Sequence, residues 1–176
     1  MTDPQPMNAI VSPVVTGLGW MGGGIMSIDS AMEQVVGGAE REILVLAYAI
    51  GSGGVGFVDL VRERLADGVS ASIIVNRMQS QDREARERLI HLSRTYSRSF
   101  NLFEYLGDGD DHLHAKLVIA DRSRALVGSA NLSWHGFVAN HELSVLVEGE
   151  AVSHLAAAVD RLKLYHRVHR LTPGPS

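Results

Sequence analysis

The chain has 176 residues, of which 45% are hydrophobic, and its formal net charge at pH 7 is -4. This length and apolar content suffice for one domain with a sizeable core, and the mildly acidic balance argues against indiscriminate binding of polyanions. The chain contains no cysteine, which excludes disulfides and thiolate metal sites.

The N-terminal segment is glycine-rich, and residues 4–28 carry no charge. A signal peptide needs a positive start, and a membrane anchor needs about 20 apolar residues, whereas Pro13 and several glycines interrupt this stretch. We therefore expect a cytoplasmic protein without integral membrane association. Residues 1–25 are expected to lie outside the domain, as a disordered arm, a dimer contact, or an upstream extension of a gene that starts at Met26.

Helical and strand patterns alternate along residues 26–171, and no internal repeat is visible. The patterns predict a single α/β domain with a mixed, mostly β sheet flanked by helices on both faces, followed by a tail at 172–176. The predicted helices are 27–41, 57–67, 81–99 and 151–171, and the predicted strands are 43–50, 71–76, 102–106, 114–120, 125–129 and 143–148.

The helix predicted at 81–99 lies in a basic stretch. Between residues 75 and 100, six arginines outnumber three acidic residues. Arginine forks match phosphate oxygens, so Arg83, Arg94 and Arg98 are candidate contacts to a nucleic acid. The alternative is an ordinary solvated helix surface.

An acidic loop follows, with Glu104, Asp108, Asp110 and Asp111 immediately ahead of His114. These carboxylates would repel a phosphate substrate unless the loop folds away. We interpret the loop as a polar turn that leads into a strand, with a lid over a site as the alternative.

The most specific pattern is His-x-Lys-x₄-Asp-x₆-Gly-Ser-x-Asn, which occurs once. Six specified identities match by chance on the order of 10⁻⁸ per window at average residue usage. Its members are His114, Lys116, Asp121, Gly128, Ser129 and Asn131.

Each residue type in this pattern suits a phosphate. On a predicted strand at 114–120, His114 and Lys116 share one face because side chains repeat every two residues. A neutral imidazole is a competent nucleophile near pH 7, and Lys116, Ser129 and Asn131 are donors for phosphate oxygens. Gly128 would let the backbone approach the ligand. Phosphoryl transfer depends on positioning and charge neutralisation, so this chemistry requires no metal or cofactor.

Two carboxylates are candidates for supporting roles. Asp121 is the carboxylate within the motif that could stabilise an imidazolium or Lys116. Glu142, which enters another predicted strand, could orient the nucleophilic ring through its second nitrogen. The sequence leaves open whether Glu142 serves the histidine of its own subunit or that of a partner.

These six residues reproduce without substitution the HKD signature of the phospholipase D superfamily, and the resemblance extends over roughly residues 25–170. It implies a phospholipase D-like fold in which His114 forms a covalent phosphohistidine while Lys116 and Asn131 hold the phosphate. In the family, a second histidine from a second motif protonates the leaving group and then activates water.

Because this chain has one motif, the second histidine is expected to come from another copy of the chain. The chain resembles the small bacterial endonucleases with a single motif, which pair two subunits about a two-fold axis. An isologous interface brings the same patch of each subunit face to face, so a homodimer can complete one site.

The expected function is therefore a metal-independent nuclease, with DNA or RNA as substrate. A phospholipase D or phosphatidyl-transfer enzyme shares the chemistry and is the first alternative, with phospholipid as the partner. The second alternative is a subunit of a larger, defence-type assembly that processes nucleic acid. His112, His114 and His141 could in principle bind a metal, but the motif already accounts for His114, so we expect no metal site.

Overall fold

A nine-stranded mixed sheet organises the computed structural model, which describes residues 8–172. The strand order is β2-β1-β8-β7-β6-β3-β4-β5-β9. The strands are β1 (Ala9–Thr16), β2 (Met26–Ser27), β3 (Glu42–Ala47), β4 (Ser70–Asn76), β5 (Phe100–Tyr105), β6 (Leu117–Ala120), β7 (Arg124–Gly128), β8 (Glu142–Gly149) and β9 (Val168–Arg170).

Four α-helices cover the two faces of this sheet: α1 (Ile28–Gly37), α2 (Val55–Ala66), α3 (Arg83–Thr95) and α4 (Ala151–Lys163). Helices α1, α2 and α3 pack on one face, around buried residues such as Val35, Val61 and Leu89. Helix α4 packs on the other face, where Val152 and Val159 contact a second apolar cluster. The predicted fold class is thus confirmed. Within residues 8–172, no helix is both long and apolar enough to cross a bilayer.

The sheet combines parallel and antiparallel pairing. Strands β3, β4 and β5 run parallel and are joined by α2 and α3, whereas β6, β7 and β8 form an antiparallel meander that joins β3 through β6. As a consequence, β3, β4 and β7 end at the same edge of the sheet at which β6 and β8 begin. Parallel strands buried on both faces explain the near-continuous apolar sequence of β3 and β4.

Local sequence explains where two helices begin. Ser27 caps α1, because its hydroxyl accepts a hydrogen bond from the backbone N–H of Ser30 at 3.1 Å. The carboxylate of Asp82 caps α3 and accepts the backbone N–H groups of Glu84 and Ala85. Side-chain acceptors at this position satisfy N–H groups that have no partner within the helix.

The N-terminal segment departs from the expectation of an arm at residues 1–25. Residues 9–16 form strand β1, which pairs with β8 along its full length, from Ala9 opposite Gly149 to Thr16 opposite Glu142. Val14 and Val15 are buried in the core. Pro13 is tolerated because β1 lies near the sheet edge, where β2 covers it only at Val14 and Val15. The expectation for residues 1–7 lies outside the described residues.

The C-terminal helix is shorter than the predicted range 151–171. Helix α4 ends at Lys163, and the chain then turns so that residues 168–170 pair with β5 as strand β9. This short strand covers the outer edge of β5, which would otherwise present unpaired backbone groups. The predicted tail lies outside the described residues except for Thr172.

A truncation tests the assignment of β1 to the domain. A chain that starts at Met26 lacks β1, so it exposes the edge of β8 and the apolar surface beneath Val14 and Val15. We expect this chain to lose the cooperative thermal unfolding transition shown by a chain that starts at Asn8, as measured by circular dichroism. Equal unfolding midpoints for the two chains would show that β1 contributes nothing to the domain.

Candidate active site

Polar side chains converge at the sheet edge where β3, β4 and β7 end and β6 and β8 begin. Tyr48 directly follows β3, and Lys116 directly precedes β6. Ser129 follows β7, and Glu142 is the first residue of β8. Residues that are distant in the sequence therefore meet because the strand pairing brings their ends to one edge.

His114 and Lys116 lie side by side at this edge. The Lys116 Nζ atom is 3.2 Å from both the Nδ1 and the Nε2 atoms of His114 and donates a hydrogen bond to the His114 carbonyl oxygen at 3.0 Å. The predicted strand at 114–120 begins only at Leu117, so the two residues belong to the irregular segment that leads into β6. Their proximity is as expected, but it does not come from strand alternation.

Tyr48 is a site residue that the sequence analysis missed. Its ring centroid is 4.5 Å from that of His114 at an interplanar angle of 55°, and the Lys116 Nζ atom lies 5.1 Å from the Tyr48 centroid. The aromatic ring thus contacts both the imidazole and the ammonium group. Its place just beyond a buried parallel strand was the available signal, because ligand sites gather at the carboxyl ends of such strands.

The electrostatic environment of Lys116 combines burial with a nearby carboxylate. Burial lowers the pKa of Lys116 below its ordinary value, and the negative charge of Glu142 opposes this shift. A partly desolvated cation beside an imidazole suits the recognition of a phosphate anion, because the attraction is stronger where water is excluded.

Glu142 contacts its own subunit in a way that the sequence did not predict. Its carboxylate accepts hydrogen bonds from the Ser129 hydroxyl and, at 3.1 Å, from Asn140 Nδ2. The structure therefore joins Glu142 to Ser129 and Asn140, and within residues 8–172 it shows no hydrogen bond or ion pair between Glu142 and the ring of His114. Asn140 is a further polar residue of the site that the sequence analysis did not select.

Gly128 has a packing role that differs from the predicted approach to a ligand. A Cβ atom at Gly128 would collide with the side chain of Ser144 and would lie 2.6 Å from its Cα atom, because the two residues are paired across β7 and β8. The absent side chain thus allows β8 to approach β7. This close approach brings Ser129 next to Leu143, whose carbonyl oxygen accepts the Ser129 backbone N–H at 3.2 Å.

Asn131 lies just beyond the point where the chain leaves β7. Its Oδ1 atom is buried and has no hydrogen-bond partner within residues 8–172. The neighbouring residue Leu132 exchanges backbone hydrogen bonds with Ala49 and Gly51, which ties this segment to the end of β3. The Oδ1 atom of Asn131 is therefore not used in a hydrogen bond that stabilises the described fold.

Asp121 lies at the opposite end of β6 from Lys116, away from the candidate site. Its carboxylate accepts the backbone N–H groups of Glu40, Arg41 and Glu42 at 2.8–2.9 Å. Burial would raise the pKa of Asp121, but these hydrogen bonds outweigh it and hold the pKa below its ordinary value. The structure thus contradicts the expected role beside His114 or Lys116. Asp121 instead joins the turn after β6 to the start of β3.

The three candidate arginines do not gather at the site. Helix α3 runs away from the site edge, so Arg83 lies near it, whereas Arg94 lies at the far end of α3 and Arg98 lies beyond that end. Arg83 also forms an ion pair with Glu87 at 2.9 Å. The three arginines are therefore spread along a 13-residue helix and the turn after it, and they do not converge on His114.

The acidic loop at 107–111 folds back onto the end of the chain. Asp108 and Asp111 lie 2.6 Å and 3.6 Å from the guanidinium of Arg167, and the Tyr105 hydroxyl donates to Asp111 at 2.7 Å. Arg77 donates to the carbonyl oxygens of Gly107 and Gly109 at 3.0 Å and 2.7 Å. The loop is therefore a turn whose conformation is fixed by these hydrogen bonds and ion pairs, and pairing with Arg167 partly neutralises its negative charge.

The histidines near the motif do not assemble a metal site. His141 accepts a hydrogen bond from the backbone N–H of Gly19 at 3.2 Å, so it holds the loop that follows β1. In the part of the chain that the structure describes, no three histidine or acidic side chains form a group suited to a metal ion.

Comparison with known proteins places this geometry in a family. Residues 32–163 match the family model for the phospholipase D-like domain of cardiolipin synthase. The chain belongs to the phospholipase D superfamily. Enzymes that hydrolyse phosphodiester bonds are members of this superfamily.

Solved structures share the fold at low sequence identity. The chain superposes on Nuc, a phospholipase D family member from Salmonella typhimurium, with a TM-score of 0.72, 14% identity, and coverage of 94% of this chain and 99% of Nuc. For NucT from Helicobacter pylori the TM-score is 0.65 at 14% identity, with coverage of 88% and 95%. For phosphatidylserine synthase from Haemophilus influenzae it is 0.74 at 16% identity, with coverage of 94% and 41%.

A curated relative is more similar in sequence. The DISARM protein DrmC from Bacillus paralicheniformis is 34% identical over 128 residues, which cover 70% of this chain and 50% of that protein. The chain thus spans about half the length of this relative.

The role of Asp121 predicts a loss of stability without a loss of chemistry. Asp121→Ala removes the acceptor for three backbone N–H groups, so we expect the free energy of unfolding to fall by about 2–3 kcal/mol. The folded fraction should retain the wild-type kcat, because the carboxylate lies away from His114. Urea denaturation and steady-state kinetics measure the two quantities.

The depressed pKa of Asp121 adds a pH dependence to this prediction. A carboxylate whose pKa is lower in the folded state stabilises the fold fully above its ordinary pKa, and this stabilisation is lost as pH falls through the folded value. The difference in stability between wild type and Asp121→Ala should therefore be constant near pH 7 and shrink below about pH 4. A large loss of kcat with unchanged stability would show that Asp121 acts in catalysis.

Proposed function

We propose that this protein is a metal-independent nuclease that cleaves phosphodiester bonds through a phosphohistidine at His114. The observation that carries the proposal is the pairing of His114 with Lys116, whose Nζ atom lies 3.2 Å from the imidazole nitrogens. A nucleophile and a phosphate-binding cation are thereby adjacent, within a family of phosphodiester hydrolases.

The proposed reaction has two displacements at phosphorus. In the first, a neutral imidazole nitrogen of His114 attacks, the P–N bond forms, and the bond to the leaving oxygen breaks as that oxygen takes a proton. In the second, water attacks the phosphohistidine, loses a proton to the same acid–base group, and releases His114. Lys116 and Asn131 would hold the non-bridging oxygens throughout, because such donors neutralise the developing charge.

The group that gives and takes this proton is assigned to His114 of a partner subunit. Exposed apolar side chains on segments around the site support a covering partner, since monomers rarely leave such patches open to water. Trp20, Trp134 and Leu143 are 41%, 51% and 50% exposed. Trp20 lies beside His141, the neighbour of Glu142, and Trp134 follows Asn131 by three residues.

Nucleic acid is the proposed substrate for two reasons. The acidic loop, which would repel a polyanion, is turned onto Arg167, so the repulsion expected from the sequence is reduced. Both tryptophans of the chain are partly exposed near the site, and indole rings stack on bases of any sequence. Action in the cytoplasm belongs to the same proposal.

Two alternatives each have one supporting observation. The exposed apolar side chains near the site would also suit the entrance of an enzyme that acts on phospholipids. The similarity to DrmC, which is named as a DISARM protein, supports a role as one subunit of a larger assembly that processes nucleic acid.

A substrate panel in EDTA tests the proposal. We expect turnover of single-stranded DNA, duplex DNA or RNA in the presence of chelator, with no release of headgroup from phosphatidylcholine or cardiolipin vesicles. His114→Ala should reduce kcat at least about 10³-fold, because it removes the nucleophile. A covalent adduct on His114 should be recoverable from the wild type by rapid quenching and mass spectrometry.

Three results would contradict the proposal in different ways. Abolition of all turnover by EDTA would exclude the metal-free reaction. Cleavage of vesicles without cleavage of nucleic acid would favour the lipid alternative. Nuclease activity that appears only when other proteins are added would favour the assembly.

Mixing subunits tests the shared site. If one site needs His114 from both subunits, an equal mixture of wild type and His114→Ala, exchanged to equilibrium, should retain about one quarter of the wild-type activity, since about one quarter of the dimers carry two histidines. Independent sites would retain about one half.

A control variant addresses a histidine of the same chain. The His112 ring centroid lies 6.1 Å from that of Tyr48, which also neighbours His114. If His112 supplied the proton instead of the partner, His112→Ala would abolish turnover, and the mixture of wild type with His114→Ala would retain half of the activity.

A further inference from the structure

Two buried carboxamides outside the motif lie behind the candidate active site. Asn76, the last residue of β4, is 4% exposed, and Gln81, just before α3, is 6% exposed. Burying a polar side chain costs free energy unless its hydrogen bonds are satisfied. The partners of these two amides therefore show what their burial accomplishes.

Gln81 joins the ends of two neighbouring strands. Its Oε1 atom accepts the backbone N–H of Ile50 at 2.7 Å, and its Nε2 atom donates to the Tyr48 carbonyl oxygen at 3.2 Å, so it holds the segment after β3. The same Nε2 atom donates to the carbonyl oxygens of Asn76 and Arg77 at the end of β4. One carboxamide thus connects the backbone of Tyr48 with that of Asn76.

Asn76 extends this connection to the segment that carries the nucleophile. Its Oδ1 atom accepts the backbone N–H of Leu113 at 3.0 Å, in a buried hydrogen bond. Leu113 is itself buried and immediately precedes His114. The segment before β6 has no regular secondary structure, so this bond replaces the strand pairing that holds residues elsewhere in the sheet.

The backbone directly after Asn76 has an unfavourable conformation, which the surrounding contacts must hold in place. Arg77, the next residue, has a φ angle of 45°, which is unfavourable for any residue other than glycine. The turn at Arg77 places Gln81 against the strand ends and aims the Arg77 guanidinium at the carbonyl oxygens of the acidic loop. Strain of this kind persists only when surrounding contacts over-determine it.

We infer that Asn76 and Gln81 are positioning residues for the nucleophile, because together they fix His114 relative to the Tyr48 ring. The two amides act on the imidazole indirectly. Asn76 holds the backbone of Leu113, which precedes His114, and Gln81 holds the backbone of Tyr48, whose ring lies beside the imidazole. The inference deepens the proposed function and rests on it only in taking His114 as the nucleophile. Misplacing a reacting group by about 1 Å costs on the order of 10²-fold in rate, so such support bears on kcat.

Kinetics on a generic diester test the inference. With bis(4-nitrophenyl) phosphate as the probe, Asn76→Ala and Gln81→Ala should each lower kcat by about 30- to 100-fold and change KM less than about threefold, since Lys116 and Asn131 remain. Gln79→Ala is the matched control, because Gln79 is an exposed carboxamide in the same turn whose side chain hydrogen-bonds only to Arg86 among the described residues. This control should keep the wild-type kcat.

Asn76→Asp separates positioning from simple stability. An aspartate keeps an acceptor oxygen for the N–H of Leu113, so kcat at its optimum should recover to within about fivefold of wild type. If Asn76→Asp recovers kcat without recovering stability, the loss in Asn76→Ala comes from the missing acceptor, whereas an equal loss of kcat in both variants would contradict the role of this hydrogen bond.

A measurement without turnover keeps the inference testable if the diester is not cleaved. The Tyr48 ring lies 4.5 Å from the His114 ring and should shift the imidazole proton resonances, and both alanine variants should reduce this shift while Gln79→Ala preserves it. If wild type cleaves neither the diester nor nucleic acid while both alanine variants reduce the ring shift, the proposed function fails and the positioning role stands. If the alanine variants keep the wild-type ring shift and kcat, Asn76 and Gln81 have no positioning role.

Discussion

The antiparallel register of β6, β7 and β8 is the constraint on which the candidate site depends. The backbone N–H of Gly128 donates to the Lys116 carbonyl oxygen at 3.2 Å, and Gly128 faces Ser144 on the next strand. With this register, the residue before β6, the residue after β7 and the first residue of β8 meet at one edge. A glycine is required at position 128 because any Cβ atom there would collide with Ser144 on the paired strand.

The same register separates the functions of the motif. Because β6 is only four residues long, Lys116 lies at one end of the strand and Asp121 at the other. Lys116 faces the site, whereas Asp121 accepts three backbone N–H groups that lead into β3. The pattern from His114 to Asn131 thus includes both the adjacent pair of His114 and Lys116 and a fold-stabilising carboxylate, and spacing alone does not distinguish the two.

Polar side chains, some of them buried, connect the meander of β6, β7 and β8 to the rest of the sheet. Asp121 attaches its turn to the start of β3, while Asn76 and Gln81 attach the opposite edge to the ends of β3 and β4. Irregular segments have no ladder of their own, and their backbone groups need side-chain partners when buried. The polar residues that hold the site therefore lie as much outside the motif as within it.

The charge distribution around the site gives less information about the substrate than the chemistry of the site does. Arg83 and Arg88 of α3 pair with acids on α3 or α2, and two carboxylates of the acidic loop pair with Arg167. The exposed side chains near the site include the polar residues His114 and Ser129 as well as both tryptophans. Recognition by stacking and by a second subunit is consistent with this surface, whereas long-range attraction of a polyanion is a small contribution.

The sequence by itself determined the family, the α/β class and the proximity of His114 to Lys116, because the motif is local and the helices and central strands have strong apolar periodicity. It did not determine that residues 9–16 and 168–170 are strands, since strands at or near the edge of a sheet owe their conformation to pairing, here with β8 and β5. Only the tertiary structure decided which polar residues meet. Tyr48, Asn76 and Gln81 reach His114 through strand ends and backbone hydrogen bonds, and such long-range contacts leave no periodic signal in the sequence.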